Sequence, residues 1–149
     1  MTIKRKIKVF SQKLHDDNDP DSREVVKKFY KKKYNITLTD NPDKRKTDLI
    51  AEDGKFIEIE HRLIWKTPKF PYEQINFPFR KGNHYSKQAF DYVILSLDYS
   101  NIGIITADKL GKYIKEEHLQ EVSNKHIRSG EYFYKLNASD FEWYNIIKL

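Results

Sequence analysis

The sequence predicts one α/β domain, a mixed central β-sheet flanked by helices. Three observations carry that expectation. Short alternating or apolar runs gather in the middle of the chain, an amphipathic helical pattern precedes them, and further helical patterns follow. A length of 149 residues suits a single domain with one core, taken here as residues 1–149.

The elements follow in order. Residues 7–10 read as an arm or first strand, set off by a polar, acidic stretch from His15 to Asp21. Asp21 or Ser22 can cap a helix running to about Tyr34. At helical spacing Val25, Val26, Phe29 and Tyr30 share one arc, and Lys27, Lys28, Lys31 and Lys32 the opposite one. Residues 36–39 alternate like a short strand, and Asn41, Pro42 and Asp43 turn the chain. Residues 48–51 form a second strand, Glu52 to Lys55 a tight hairpin turn, and residues 56–63 the returning strand. Pro68, Pro71 and Pro78 argue against a long helix between 65 and 85, where 74–79 reads as extended. A short helical turn is expected at 86–90, strands at 92–97 and 102–106, and helix at 107–115. Residues 131–136 read as extended and 139–145 as helical, within a C-terminal extension spanning 107–149.

Lys and Arg number 28 against 22 Asp and Glu, a net charge of +6 that attracts polyanions. The absence of Cys excludes disulfides, thiolate metal sites and cysteine nucleophiles. No apolar run approaches the roughly twenty residues that cross a bilayer. The basic start, Met1 to Lys6, is followed by no long apolar stretch, so no secretory signal and a cytoplasmic location are expected. Five histidines lack metal-ligand spacing, which argues against zinc. No nucleophile elbow, Walker loop or dinucleotide fingerprint is present.

The stretch richest in chemistry runs from Thr47 to Arg62. Glu58 and Glu60, two apart on a strand, project to one face, while Ile57 and Ile59 project to the other. The hairpin brings Asp48 toward the same edge. Gathered carboxylates repel unless a cation sits among them, and such hard oxygen donors suit Mg²⁺ or Mn²⁺. The same spacing also describes an amphipathic hairpin whose outer face is merely acidic. His61 falls opposite the glutamates and reads as a sheet histidine.

This order of elements, a helix, a strand, a carboxylate-bearing hairpin and further strands, resembles the PD-(D/E)XK nuclease superfamily over roughly residues 22–106. The resemblance matches Asp48 to that family's acidic residue on the second core strand, and Glu58-Ile59-Glu60 to its (D/E)-x-K element on the third. It implies a restriction-endonuclease-like fold and Mg²⁺- or Mn²⁺-dependent phosphodiester hydrolysis. Asp48, Glu58 and the carbonyl of Ile59 would hold metal, and Glu60 would activate water or bind metal. Two positions depart from the pattern: Thr47 replaces the common Pro, and Glu60 the usual Lys. Some restriction enzymes of the family carry Glu there and remain active. The alternatives are loss of catalysis or a lysine from elsewhere, with Lys81 and Lys87 as candidates. Glu24, among the helix lysines, reads as a salt-bridge partner rather than a site residue.

The stretch from Arg80 to Lys87 reads as a loop in which Arg80, Lys81 and Lys87 would hold a nucleic-acid backbone. Phe77, Phe79 and Tyr85 could stack on bases there, and Gly82 would permit close approach. The expected partner is nucleic acid, DNA before RNA, with no membrane; cutting both strands of a duplex would favour a homodimer. Two other readings stay open, a non-catalytic nucleic-acid-binding or regulatory protein on the same scaffold and a protein-interaction module.

Overall fold

The computed structural model describes residues 21–43, 47–115, 119–124 and 127–147; the arm or strand expected at 7–10 lies outside them. Helix α1 occupies residues 21–34. Val26, Phe29 and Tyr30 are buried, and Lys28, Lys31 and Lys32 are exposed, as the spacing predicts. Lys27 departs from its basic neighbours and reaches Asp40 at 3.0 Å and Glu24 at 3.2 Å. Asp21 and Ser22 are already helical, so neither caps α1. Ser22 is buried instead, with its hydroxyl 3.4 Å from that of Tyr99.

An antiparallel meander follows: β1 (Leu38–Asp40), β2 (Leu49–Ala51) and β3 (Phe56–His61). Gly54 makes the hairpin turn at φ +89°, a conformation that side chains with a Cβ resist. Asp53 secures that turn by accepting the Lys55 N–H at 3.0 Å. Strand β4 (Gln74–Pro78) then runs directly into α2 (Phe79–Lys87). The chain crosses over to β5 (Phe90–Leu95), which pairs parallel with β3. Strand β6 (Asn101–Ile105) returns antiparallel and leads into α3 (Ala107–Gly111). Strands β7 (Leu119–Asn124) and β8 (Ile127–Asn137), a 3₁₀ turn (Ala138–Asp140) and β9 (Glu142–Asn145) complete the order.

These strands form two sheets. The main sheet has six strands in the order β1-β2-β3-β5-β6-β9, and the second has three in the order β4-β8-β7. The mixed α/β architecture therefore agrees with the expectation, while the second sheet adds a layer that it lacked. One cluster packs α1 through Val26, Phe29 and Tyr30 against Leu49, Ile57, Val93 and Ile102. The other lies across the sheet, where Trp65, Ile75, Phe77 and Leu136 meet Phe90, Tyr92 and Ile94. Strands β5 and β6 are buried throughout because both of their faces are covered.

Among the described residues Asp91 is the charged residue that is buried. Its Oδ1 accepts the N–H of Ala107 at 2.8 Å, serving the first residue of α3, whose N-cap Thr106 makes no side-chain bond. The Tyr30 hydroxyl and the Lys55 ammonium lie 3.5 and 3.8 Å from Oδ2. Burial pushes the Asp91 carboxyl above the usual range, against these partners.

Three local expectations are corrected. Residues 79–87 form helix rather than a loop, and Phe90 starts β5 instead of ending a helical turn. Pro78 stands at the N-cap of α2, where its missing N–H costs nothing. The helix expected at 139–145 is a 3₁₀ turn followed by β9. Pairing with β6 wins there, and Trp143 lies over Gly103, where an added Cβ would stand 2.5 Å from the ring. Among the described residues no helix is long and apolar enough to cross a membrane.

Candidate active site

Glu58 and Glu60 lie on the face of β3 that looks away from α1, because Ile57 and Ile59 fill the opposite face. Asp48 immediately precedes β2, and the pairing of Leu49 with Ile57 carries it alongside the centre of β3. Its Oδ2 accepts the Ile59 N–H at 2.8 Å. The N–H and C=O of one strand residue point to the same side, so the Ile59 carbonyl also faces the space beyond the end of β2. That carbonyl and the Asp48 carboxylate thus share one edge.

The Asp48 carboxyl stands beside that of Glu58 and bears on its charge. The Glu58 carboxyl is pushed up to about 9, first by burial and then by Asp48, with Glu60 adding to the rise and Lys81 opposing it. Arg23 of α1 comes within 3.9 Å of Asp48 from the far side.

Glu60 is placed differently. Tyr92 of β5 donates its hydroxyl to Glu60 Oε2, and Arg62 approaches the same oxygen at 3.3 Å. Arg62 also spans the Tyr92 hydroxyl at 3.5 Å and the Asn76 carbonyl at 3.3 Å. Asp48 and Glu58 are therefore in contact, while Glu60 flanks them in its own network. Among the described residues no three His, Asp or Glu side chains converge tightly enough to hold an ion unaided.

The three predicted cations separate as well. Lys81 turns inward on α2, its ammonium 5.4 Å from the centre of the Tyr92 ring and close enough to Glu58 to ease its charge. Arg80 and Lys87 are exposed one above the other on the outer face of α2, with His84 between them. Gly82 does permit close approach, but to protein: an added Cβ would stand 2.6 Å from the Tyr134 ring. Phe77 is fully buried and Tyr85 donates to the Ala107 carbonyl at 2.8 Å, so neither is free to stack on a base; Phe79 is exposed. His61 rests on the Tyr99 ring and bonds the Leu97 carbonyl at 3.0 Å, a sheet histidine as expected. Glu24 pairs with Lys27, also as expected.

Sequence reasoning missed Tyr92, Arg62 and Arg23. Arg62 was the most accessible of these, since period two places it on the same face as Glu58 and Glu60. The other two come from distant elements and had no local signal. No family model matches this chain, and no curated protein matches it.

Proposed function

We propose that the chain is a metal-dependent nuclease that hydrolyses phosphodiester bonds, DNA before RNA, on a restriction-endonuclease-like scaffold. The observation that carries the proposal is the paired Asp48 and Glu58 carboxyls at one sheet edge, with Lys81 beside them. The order of elements that carries the family resemblance agrees with this reading: helix α1, strand β1, then the β2–β3 hairpin bearing Asp48, Glu58 and Glu60.

The donor set suits a hard divalent cation, because Asp48, Glu58 and the Ile59 carbonyl offer oxygen alone. Asp48, Glu58 and the Ile59 carbonyl would hold Mg²⁺ or Mn²⁺, which would supply Lewis acidity toward a phosphate oxygen and a more acidic water. The protein's own groups complete the chemistry. Lys81 occupies the neighbourhood where the motif lysine is lacking and steadies negative charge on the phosphate. Glu60, held by Tyr92 and Arg62, takes the proton of the attacking water. Arg80 and Lys87, on the exposed face of α2, hold the backbone of the nucleic acid.

One observation favours a second reading, nucleic-acid binding without cleavage. Arg62 and Tyr92 already engage Glu60, which would restrain it from acting as a base. Incubating the chain with plasmid, single-stranded, branched and RNA substrates in Mg²⁺, Mn²⁺ or chelator separates the two. Cleavage that stops with chelator supports the nuclease, and binding without cleavage supports the second reading.

A further inference from the structure

A second concavity lies away from the carboxylates, between the 65–73 segment and the β6–β9 edge of the main sheet. Its volume is about 710 Å³, inside the roughly 300–1,000 Å³ range of small-ligand sites. Trp65, Phe70, Tyr72 and Trp143 give it aromatic walls, with Lys69 and Asn101 among its polar groups. Phe70 stacks on Trp143 with ring centres 5.1 Å apart, and Trp65 meets both edge-on. Tyr72 is 54% exposed at the mouth.

Trp65 supplies an observation that points to a ligand. It is 1% exposed, and its indole N–H finds no hydrogen-bond acceptor among the described residues. Its edge-on neighbours offer only ring faces, which accept far more weakly than an oxygen or a ring nitrogen. Buried donors are rarely left so, and an acceptor carried in by a ligand would relieve the cost.

The sheet register ties this groove to the candidate active site. Glu60 pairs with Ile94, Ile94 with Gly103, and Gly103 with Trp143. Trp143 thus lies in the same cross-strand row as Glu60, three strand spacings or about 14 Å away. The row between them is covered by the cluster of the second sheet, so the two sites lie at opposite margins of that packed layer.

We propose that this groove receives an unstacked nucleobase of a single-stranded nucleic acid. Every base has a flat face for the exposed Tyr72 ring and an in-plane acceptor for the Trp65 N–H, while Trp143, already stacked on Phe70 and Phe141, forms the fixed wall. Lys69 meets the adjoining phosphate, and Glu73 is the one acidic residue in the lining. The choice of ligand rests on the nucleic-acid reading above, but the groove requires no cleavage.

The chain's two tryptophans both line this groove, so intrinsic fluorescence reports on it directly. The full chain is titrated in chelator with a short single-stranded thymidine oligonucleotide and with a duplex. The expected result is saturable quenching by the single strand and little by the duplex. Tyr72→Ala should weaken the single-strand response about tenfold, the loss of one stacking contact. Trp65→Phe should weaken it too while leaving the melting temperature unchanged or higher, since it removes an unpaired donor. Silent tryptophans, equal quenching by duplex, quenching by an aromatic-rich peptide in place of the oligonucleotide, or quenching indifferent to both substitutions would overturn the proposal. Quenching by a chain that never cleaves leaves the groove standing and removes the nuclease reading. Cleavage with silent tryptophans does the reverse.

Discussion

Asp48 accepts the backbone N–H of Ile59 at 2.8 Å, which fastens it to β3 at the residue between the two glutamates. The bond sets where the Asp48 carboxyl stands, and its contact with Glu58 follows from that placement.

This arrangement predicts a pH dependence of stability. The folded Glu58 carboxyl lies at about 9, above its ordinary 4.5, so the folded chain keeps a proton that the unfolded chain releases. Its stabilising effect is fully present below the ordinary value and is lost as pH rises through the folded one. Asp91, also raised by burial, acts with the same sign. Urea unfolding in chelator should therefore show stability falling between about pH 4.5 and 9. Glu58→Gln should flatten that fall, leaving the share of Asp91; an unchanged slope would contradict the assignment.

Lys81 should behave differently from its neighbours on α2. Lys81→Ala removes the cation beside Glu58 and should reduce cleavage about 10²-fold or more, with substrate binding largely kept. Lys81→Arg should recover part of the loss. Equal effects of Lys81→Ala and Lys87→Ala on the cleavage step, measured in single turnover, would contradict the distinction.

Arg80 and Lys87 instead belong to binding. Replacing both with Ala should lower affinity and reduce the slope of log affinity against log salt by roughly 0.7–0.9 per lost phosphate contact. An unchanged slope in a titration across salt concentrations would move the interface to the exposed lysines of α1.

Gly103 should tolerate no side chain. A Cβ there would stand 2.5 Å from the Trp143 ring, so Gly103→Ala must displace the indole from β6. Overpacking of this kind costs about 1–3 kcal/mol. Chemical denaturation measures it, and a neutral result would mean that Trp143 is free to move.

The hairpin was legible in the sequence because its signals are local. Ile57 and Ile59 alternate with Glu58 and Glu60, and Gly54 marks the turn, so both acids could be assigned to one face. Helix α2 was hidden by Pro78, which with Pro68 and Pro71 argued against a long helix, and by the reading of residues 80–87 as a loop. Pro78 in fact precedes the helix, and Gly82 is required by Tyr134. Strand β9 was missed although Phe141 and Trp143 alternate with Glu142 and Tyr144, because its pairing partner β6 is some forty residues away in the chain. The inward turn of Lys81 and the approach of Tyr92 and Arg23 depend on the crossover and on α1. Such long-range placement leaves no trace in spacing.

The central claim, that Asp48 and Glu58 form the metal-dependent heart of a nuclease, is tested most directly by the cleavage rate of Glu58→Gln beside that of the native chain. Labelled DNA is incubated with each in saturating Mg²⁺, and binding is followed in parallel in chelator. The account predicts cleavage by the native chain that chelator stops, and a loss of about 10²-fold or more in the variant with binding preserved. A variant that cleaves at the native rate would contradict it. So would a native chain that cleaves no nucleic acid in either Mg²⁺ or Mn²⁺.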